Sequence, residues 1–148
     1  MLAALLLGGC AQLRPSAPAP LDVDAVTREA EARYAAGDWA AAADAYQRLV
    51  DADPRSADRW FRLANARARS GSPDRAVAAY REVLARDAGY AKAGFNLGLV
   101  QLRDAAETFR HLENQDSLDA ALRAQATRLR EAIDQALAAQ NAPAAETR

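Results

Sequence analysis

The chain has 148 residues, enough for one domain and not two. Aromatic residues make up 6% of it, too few for a thick β-sandwich or barrel core, while about a quarter of its positions are alanine, the best helix former. The formal net charge of −1, from 19 Lys and Arg against 20 Asp and Glu, leaves no basic excess for nucleic acid or an acidic membrane surface.

Residues Met1 to Gly9 form an unbroken apolar and small-residue run. It falls short of the roughly 20 apolar residues that span a bilayer, and has the length of a signal-peptide core. Cys10 is the sole cysteine, so an intramolecular disulfide is excluded. The order Leu7-Gly8-Gly9-Cys10 resembles a bacterial lipobox: an aliphatic residue, two small residues, then a cysteine that becomes lipidated and N-terminal. That resemblance implies a signal peptide over 1–9 and a lipid anchor at Cys10. No Lys or Arg lies between Met1 and Cys10, so the true start codon is expected further upstream. The plain alternative is a greasy N-terminus with a stray cysteine.

Residues 10–20 carry Pro15, Pro18 and Pro20, which oppose a helix and favour an extended polyproline II tether. At about 3.1 Å per residue such a tether reaches roughly 30 Å. In lipoproteins an aspartate after the cysteine favours inner-membrane retention. Ala11 stands there instead, which by resemblance implies the periplasmic face of the outer membrane.

From residue 21 the chain repeats itself. Gly37, Ala42, Tyr46 and Asp53 recur 34 positions later as Gly71, Ala76, Tyr80 and Asp87, and Ala30, Ala64 and Gly98 form a series of small residues. The best copy spans 57–90. Trp60, Leu63, Ala64 and Ala66 share a face of a first helix, Gly71-Ser72-Pro73 makes a turn, and Ala76, Tyr80 and Val83 line a second helix. The pattern resembles the tetratricopeptide repeat. It implies an all-α helix-turn-helix solenoid in which Ala64 and Ala76 mark a helix crossing and Tyr80 fills the gap toward the next repeat. An atypical first copy runs over about 23–56, with Val26 and Glu29 where tryptophan and leucine are usual.

A third copy departs from the pattern after Val100. Ala105 replaces the turn glycine, Arg110 occupies the crossing position held by Ala42 and Ala76, and no glycine or proline occurs from Leu99 through Ala142. The apolar series Phe95, Leu99, Leu102, Ala106, Phe109 and Leu112 keeps helical phase, which predicts one straight helix over 91–112. A break at Asn114–Ser117, with Asp116 or Ser117 as N-cap, leads to a closing helix over 118–140. Its expected inward stripe is Leu118, Leu122, Ala126, Leu129, Ile133 and Leu137, with Arg123, Arg128, Arg130, Glu131 and Asp134 on the other faces. The repeat domain thus covers 21–140, about two and a half repeats plus a closing helix, and 141–148 is expected to be a disordered tail.

No enzyme is expected. His111 is the lone histidine, no Gly-x-Ser-x-Gly turn or phosphate-binding Gly-rich loop occurs, and neither a cofactor nor a metal is called for. The repeat resemblance implies a concave groove lined by first helices: Arg62, Asn65 and Arg69, then Lys92, Phe95, Asn96, Leu99 and Arg103. Asn65 and Asn96 sit where some tetratricopeptide domains hold the carboxylate end of a chaperone peptide. Phe61 replaces the expected basic residue, so a less specific peptide groove is favoured. The combined expectation is a lipid-anchored scaffold for envelope proteins or peptide segments, without nucleic acid, of the kind that serves pilus biogenesis or outer-membrane assembly. Self-association through the ends of the stack, or an accessory role to a cell-envelope enzyme, are the alternatives.

Overall fold

Helix starts in this chain are written mostly as short acidic or hydroxyl side chains. Asp22 Oδ1 accepts from Ala25 N–H at 2.9 Å, Asp38 Oδ1 from Ala41 N–H at 3.3 Å, and Ser56 Oγ from Arg59 N–H at 3.3 Å. Each satisfies an N–H with no partner inside its own helix. These caps open α1 (Val23–Ala35), α2 (Trp39–Ala52) and α3 (Ala57–Arg69). Pro73 sits at the start of α4 (Pro73–Arg86), where its missing N–H costs nothing. Then come α5 (Ala91–Glu113) and α6 (Ala120–Asn141). The computed structural model describes residues 21–141, and among them there is no strand. The expected signal peptide, Cys10, the tether and residues 142–148 lie outside the described residues. Asn141, expected in the tail, ends α6.

The turns that close the first two hairpins depend on glycine. Gly37 and Gly71 have φ of 78° and 75°, in the left-handed region that a Cβ disfavours. Each helix packs on its neighbours in sequence, α1 on α2 through to α5 on α6. The main core is continuous from Val26 to Val100, and its largest enclosed side chains are Tyr80, Leu49, Leu63, Val50 and Val83. Ala42, Ala64 and Ala76 are fully buried, as close helix crossings require. Glu29, where a leucine is usual, is instead exposed and pairs with Arg48 at 2.6 Å.

The third repeat has no second helix of the ordinary kind. α5 runs unbroken for 23 residues through Ala105 and Ala106. Arg110 is exposed and pairs with Glu107, so no guanidinium is forced into a helix crossing. Two details of the closing helix correct the sequence reading. Asp119, rather than Asp116 or Ser117, caps α6, its Oδ1 accepting from Ala121 and Leu122 N–H. Of the expected inward stripe, Ala126 is buried and Leu118, Ile133 and Leu137 are half-buried. Leu122 and Leu129 instead stay 46% and 44% exposed, whereas Arg123, Arg130 and Asp134, expected on the other faces, are half-buried.

The cause lies at the end of α5, whose last carbonyls have no helical donors. The Arg123 guanidinium donates to the Glu113 carbonyl and, at 2.8 Å, to that of Gln115. Arg130 Nε donates to the Glu113 carboxylate at 2.9 Å and its Nη1 to Asp134 at 2.9 Å. Hydrogen bonds to Glu113 first, then Asp134, raise the Arg130 pKa above its ordinary value. Fixing these arginines against α5 turns the two leucines outward.

Candidate functional site

α3 and α5 run in the same direction, because each is antiparallel to the α4 between them. Three contacts set their alignment. Tyr90, at the head of α5, stacks on Phe61 with ring centres 5.0 Å apart, and its hydroxyl donates to Asp58 at 2.9 Å. One turn further along α3, Asn96 Nδ2 donates to Asn65 Oδ1 at 3.0 Å. Beyond that, Arg69 and Arg103 line the same cavity.

The cavity holds about 310 Å³ and is walled by Tyr34, Asn65, Ala68, Arg69, Tyr80, Asn96, Leu99, Val100 and Arg103. Its floor is Tyr80. The ring is buried in the core, and the hydroxyl donates to Asn65 Oδ1 at 2.6 Å. One amide oxygen therefore receives two donors, which fixes Asn65 and Asn96 relative to each other. Burial pushes the Tyr80 phenol above its ordinary value of 10.0, while Asn96, Arg103 and Arg69 pull it the other way.

The cationic wall is fixed on one side only. Arg69 lies over Trp39 and Tyr34, its guanidinium carbon 4.7 and 5.4 Å from the ring centres, and those two rings meet edge to face at 4.8 Å. Among the described residues, the surface carries ion pairs at Arg33, Arg48, Arg55, Arg59, Arg86, Arg110 and Arg130, but none at Arg69 or Arg103. Both groove cations are solvent-exposed at the mouth of the cavity.

Five of the eight groove residues expected from sequence thus meet at one cavity: Asn65, Arg69, Asn96, Leu99 and Arg103. Arg62, Lys92 and Phe95 lie outside it, exposed toward the starts of α3 and α5. Phe95 is 63% exposed. Arg62 sits close enough for its charge to reach the phenols of Tyr46 and Tyr90. Tyr34 and Tyr80 were missed as wall and floor. The repeat length was the available signal for Tyr34, since Ala68, another wall residue, follows it by 34 positions. His111 is exposed beside Glu107, 3.2 Å from its carboxylate, far along α5 from the cavity-lining residues. Among the described residues, no three or more His, Cys, Asp or Glu side chains gather as metal ligands, and no helix is long and apolar enough to cross a membrane.

Stacked helical hairpins with small residues at their crossings and a cavity between two first helices define a tetratricopeptide-type helical solenoid. Residues 27–91 match the family model described as Tetratricopeptide repeat. The fold is similar to a solved structure described as the first TPR of Spaghetti (RPAP3) bound to the HSP90 peptide SRMEEVD. The TM-score is 0.50 at 21% sequence identity, covering 78% of this chain and 95% of that one. No curated protein matches the chain in sequence.

Proposed function

We propose that the chain is a docking module, not an enzyme, that captures a protein or peptide segment on its concave face. The observation that carries this reading is the cavity between α3 and α5, where two mutually fixed asparagines stand beside two arginines without carboxylate partners. The solved structure of similar fold holds a peptide, which adds weight to a peptide as the class of ligand. Charge reversal at Arg62 and Arg103 is expected to weaken partner capture and leave the circular dichroism spectrum unchanged. Capture that survives both reversals and maps to α6 would contradict the groove.

The lipid anchor belongs to the same proposal. Cys10, within the lipobox-like run, would tether the domain to the periplasmic face of the outer membrane, where a scaffold could serve pilus or outer-membrane assembly. Cys10→Ala is expected to leave the protein soluble or uncleaved, and mass spectrometry of the parent to find acyl chains on Cys10. An unacylated parent, with the variant equally membrane-bound, would remove the anchor from the proposal.

A second reading has its own observation. Leu122 and Leu129 are exposed seven residues apart on one face of α6, and a second copy could cover them. Light scattering of the chain decides this: a dimer that Leu122→Ser with Leu129→Ser dissolves would favour self-association.

A further inference from the structure

The repeat places like residues in two rows across the groove. Phe61 recurs 34 positions later as Phe95, and Arg69 as Arg103. Since α3 and α5 run in parallel, the two phenylalanines stand toward the starts of these helices and the two arginines toward their other halves. The aromatic row is extended by Tyr90, stacked on Phe61. Between the rows, the Asn65–Asn96 pair presents the remaining amide groups of both side chains.

Eight residues separate the rows on each helix, about 12 Å at 1.5 Å per residue. An extended chain advances about 3.3 Å per residue, so three or four residues cover that distance. At the head of α3 stands Phe61, half-buried against Tyr90 and Tyr80, and the cations toward that end, Arg62 and Lys92, lie outside the cavity. A free C-terminus therefore finds no cation inside the cavity at that end. Acidic side chains find two cations at the other row, and neither is ion-paired among the described residues; Glu107, one turn beyond Arg103, pairs with Arg110 and His111.

We infer that the groove takes an extended, internal peptide segment in which an aromatic or large aliphatic residue lies three or four positions from an acidic one. This rests on the groove reading above and narrows its ligand. The apolar residue sits on Phe61 and Phe95. The amides of Asn65 and Asn96 bond the backbone of the segment between, as an extended chain needs at every second residue. The acidic side chain meets Arg69 and Arg103, where a guanidinium can donate two parallel N–H bonds to a carboxylate. Arg69 is held ready by Trp39 and Tyr34.

The test is a selection on the full chain from random dodecapeptides displayed inside a loop of a carrier, so that no peptide has a free C-terminus. Enriched sequences are expected to share an aromatic or large aliphatic residue and an Asp or Glu at the stated separation. As synthetic peptides with amidated ends, they should bind about ten-fold more weakly to Arg103→Glu and about five-fold more weakly to Phe95→Ala. Both positions are exposed, so the variants are expected to fold. Enriched peptides that lack the spacing, or groove-dependent binding only of peptides ending in a free carboxylate, would overturn this inference and leave the groove standing. Peptides that bind both variants as well as the parent would overturn the groove reading with it.

Discussion

The two intact repeats and the α5–α6 hairpin use the same helices and hold them together differently. In α1–α4 the crossings are alanines, and the space between repeats is filled by Tyr46, Leu49, Leu63 and Tyr80, all buried. In α5 and α6 the buried residues are Ala93, Val100, Ala106 and Ala126, and no large side chain is among them. Ala106 and Ala126 also lie outside the continuous core. What fixes the hairpin is its polar end, where Arg123 and Arg130 bind the carbonyls and the carboxylate at the end of α5. A repeat that has lost its crossing residue can keep its helices only by another means. Here that means leaves an apolar face in water.

The largest test of that contrast is a truncation in the intact repeats. Tyr80→Ala removes a buried ring and the donor that fixes Asn65, and is expected to cost about 3–5 kcal/mol in chemical denaturation. A loss below about 0.5 kcal/mol would mean that the inter-repeat contact is not where stability resides.

Alkaline pH probes the same region. Burial raises the Tyr46, Tyr80 and Tyr90 phenols above 10.0, so the folded state holds their protons more tightly than the unfolded chain does. That contribution to stability is complete below pH 10 and is lost as pH rises through the folded values. Helical signal should therefore fall above pH 10, together with the appearance of tyrosinate absorbance. Full ionisation of these phenols with the helices intact would contradict their burial.

One substitution should have opposite signs in the two regions. Gly71→Ala puts a Cβ at φ 75° and is expected to destabilise by about 1 kcal/mol, although no atom lies within 4 Å of that Cβ. Gly98 stands at the crossing position of the third repeat, yet a Cβ there also meets nothing within 4 Å, because no second helix crosses it. Gly98→Ala should stabilise α5 by about 0.5–1 kcal/mol. A destabilising Gly98→Ala would show that an ordinary hairpin forms there. At the small end of the scale, Leu122→Ser and Leu129→Ser should each change monomer stability by less than about 0.5 kcal/mol, since both side chains already meet solvent. Thermal melting at two protein concentrations would separate that from a dimer effect.

The helices and turns of the intact repeats were legible in the sequence because each is a local matter. Gly37 and Gly71 mark the turns, Asp22, Asp38 and Ser56 the caps, and the spacing of alanines the crossings. The unbroken α5 was legible for the same reason, as a missing turn residue with continuous phase. The face that α6 turns inward was legible only in part: Ala126 is buried as expected, while Leu122 and Leu129 are exposed. Its stripe points to burial by periodicity, but the outward turn of those two leucines follows from two arginines reaching a carbonyl and a carboxylate on another helix. Likewise, that Asn65, Arg69, Asn96, Leu99 and Arg103 share one side of the first helices, where they line the cavity, could be read from repeat register alone. The Tyr80–Asn65–Asn96 hydrogen bonds could not, because they join three helices through side-chain geometry.

Chemical-shift mapping of the isotope-labelled chain with a selected amidated peptide tests the docking groove most directly. The side-chain amides of Asn65 and Asn96 report on its centre, and the backbone amides of Leu99 and Arg103 on its cationic end. These signals are expected to shift together and saturate with the peptide, while those of Leu122 and Leu129 stay in place. Shifts confined to Leu122 and Leu129, with the two asparagine amides unmoved, would contradict the groove.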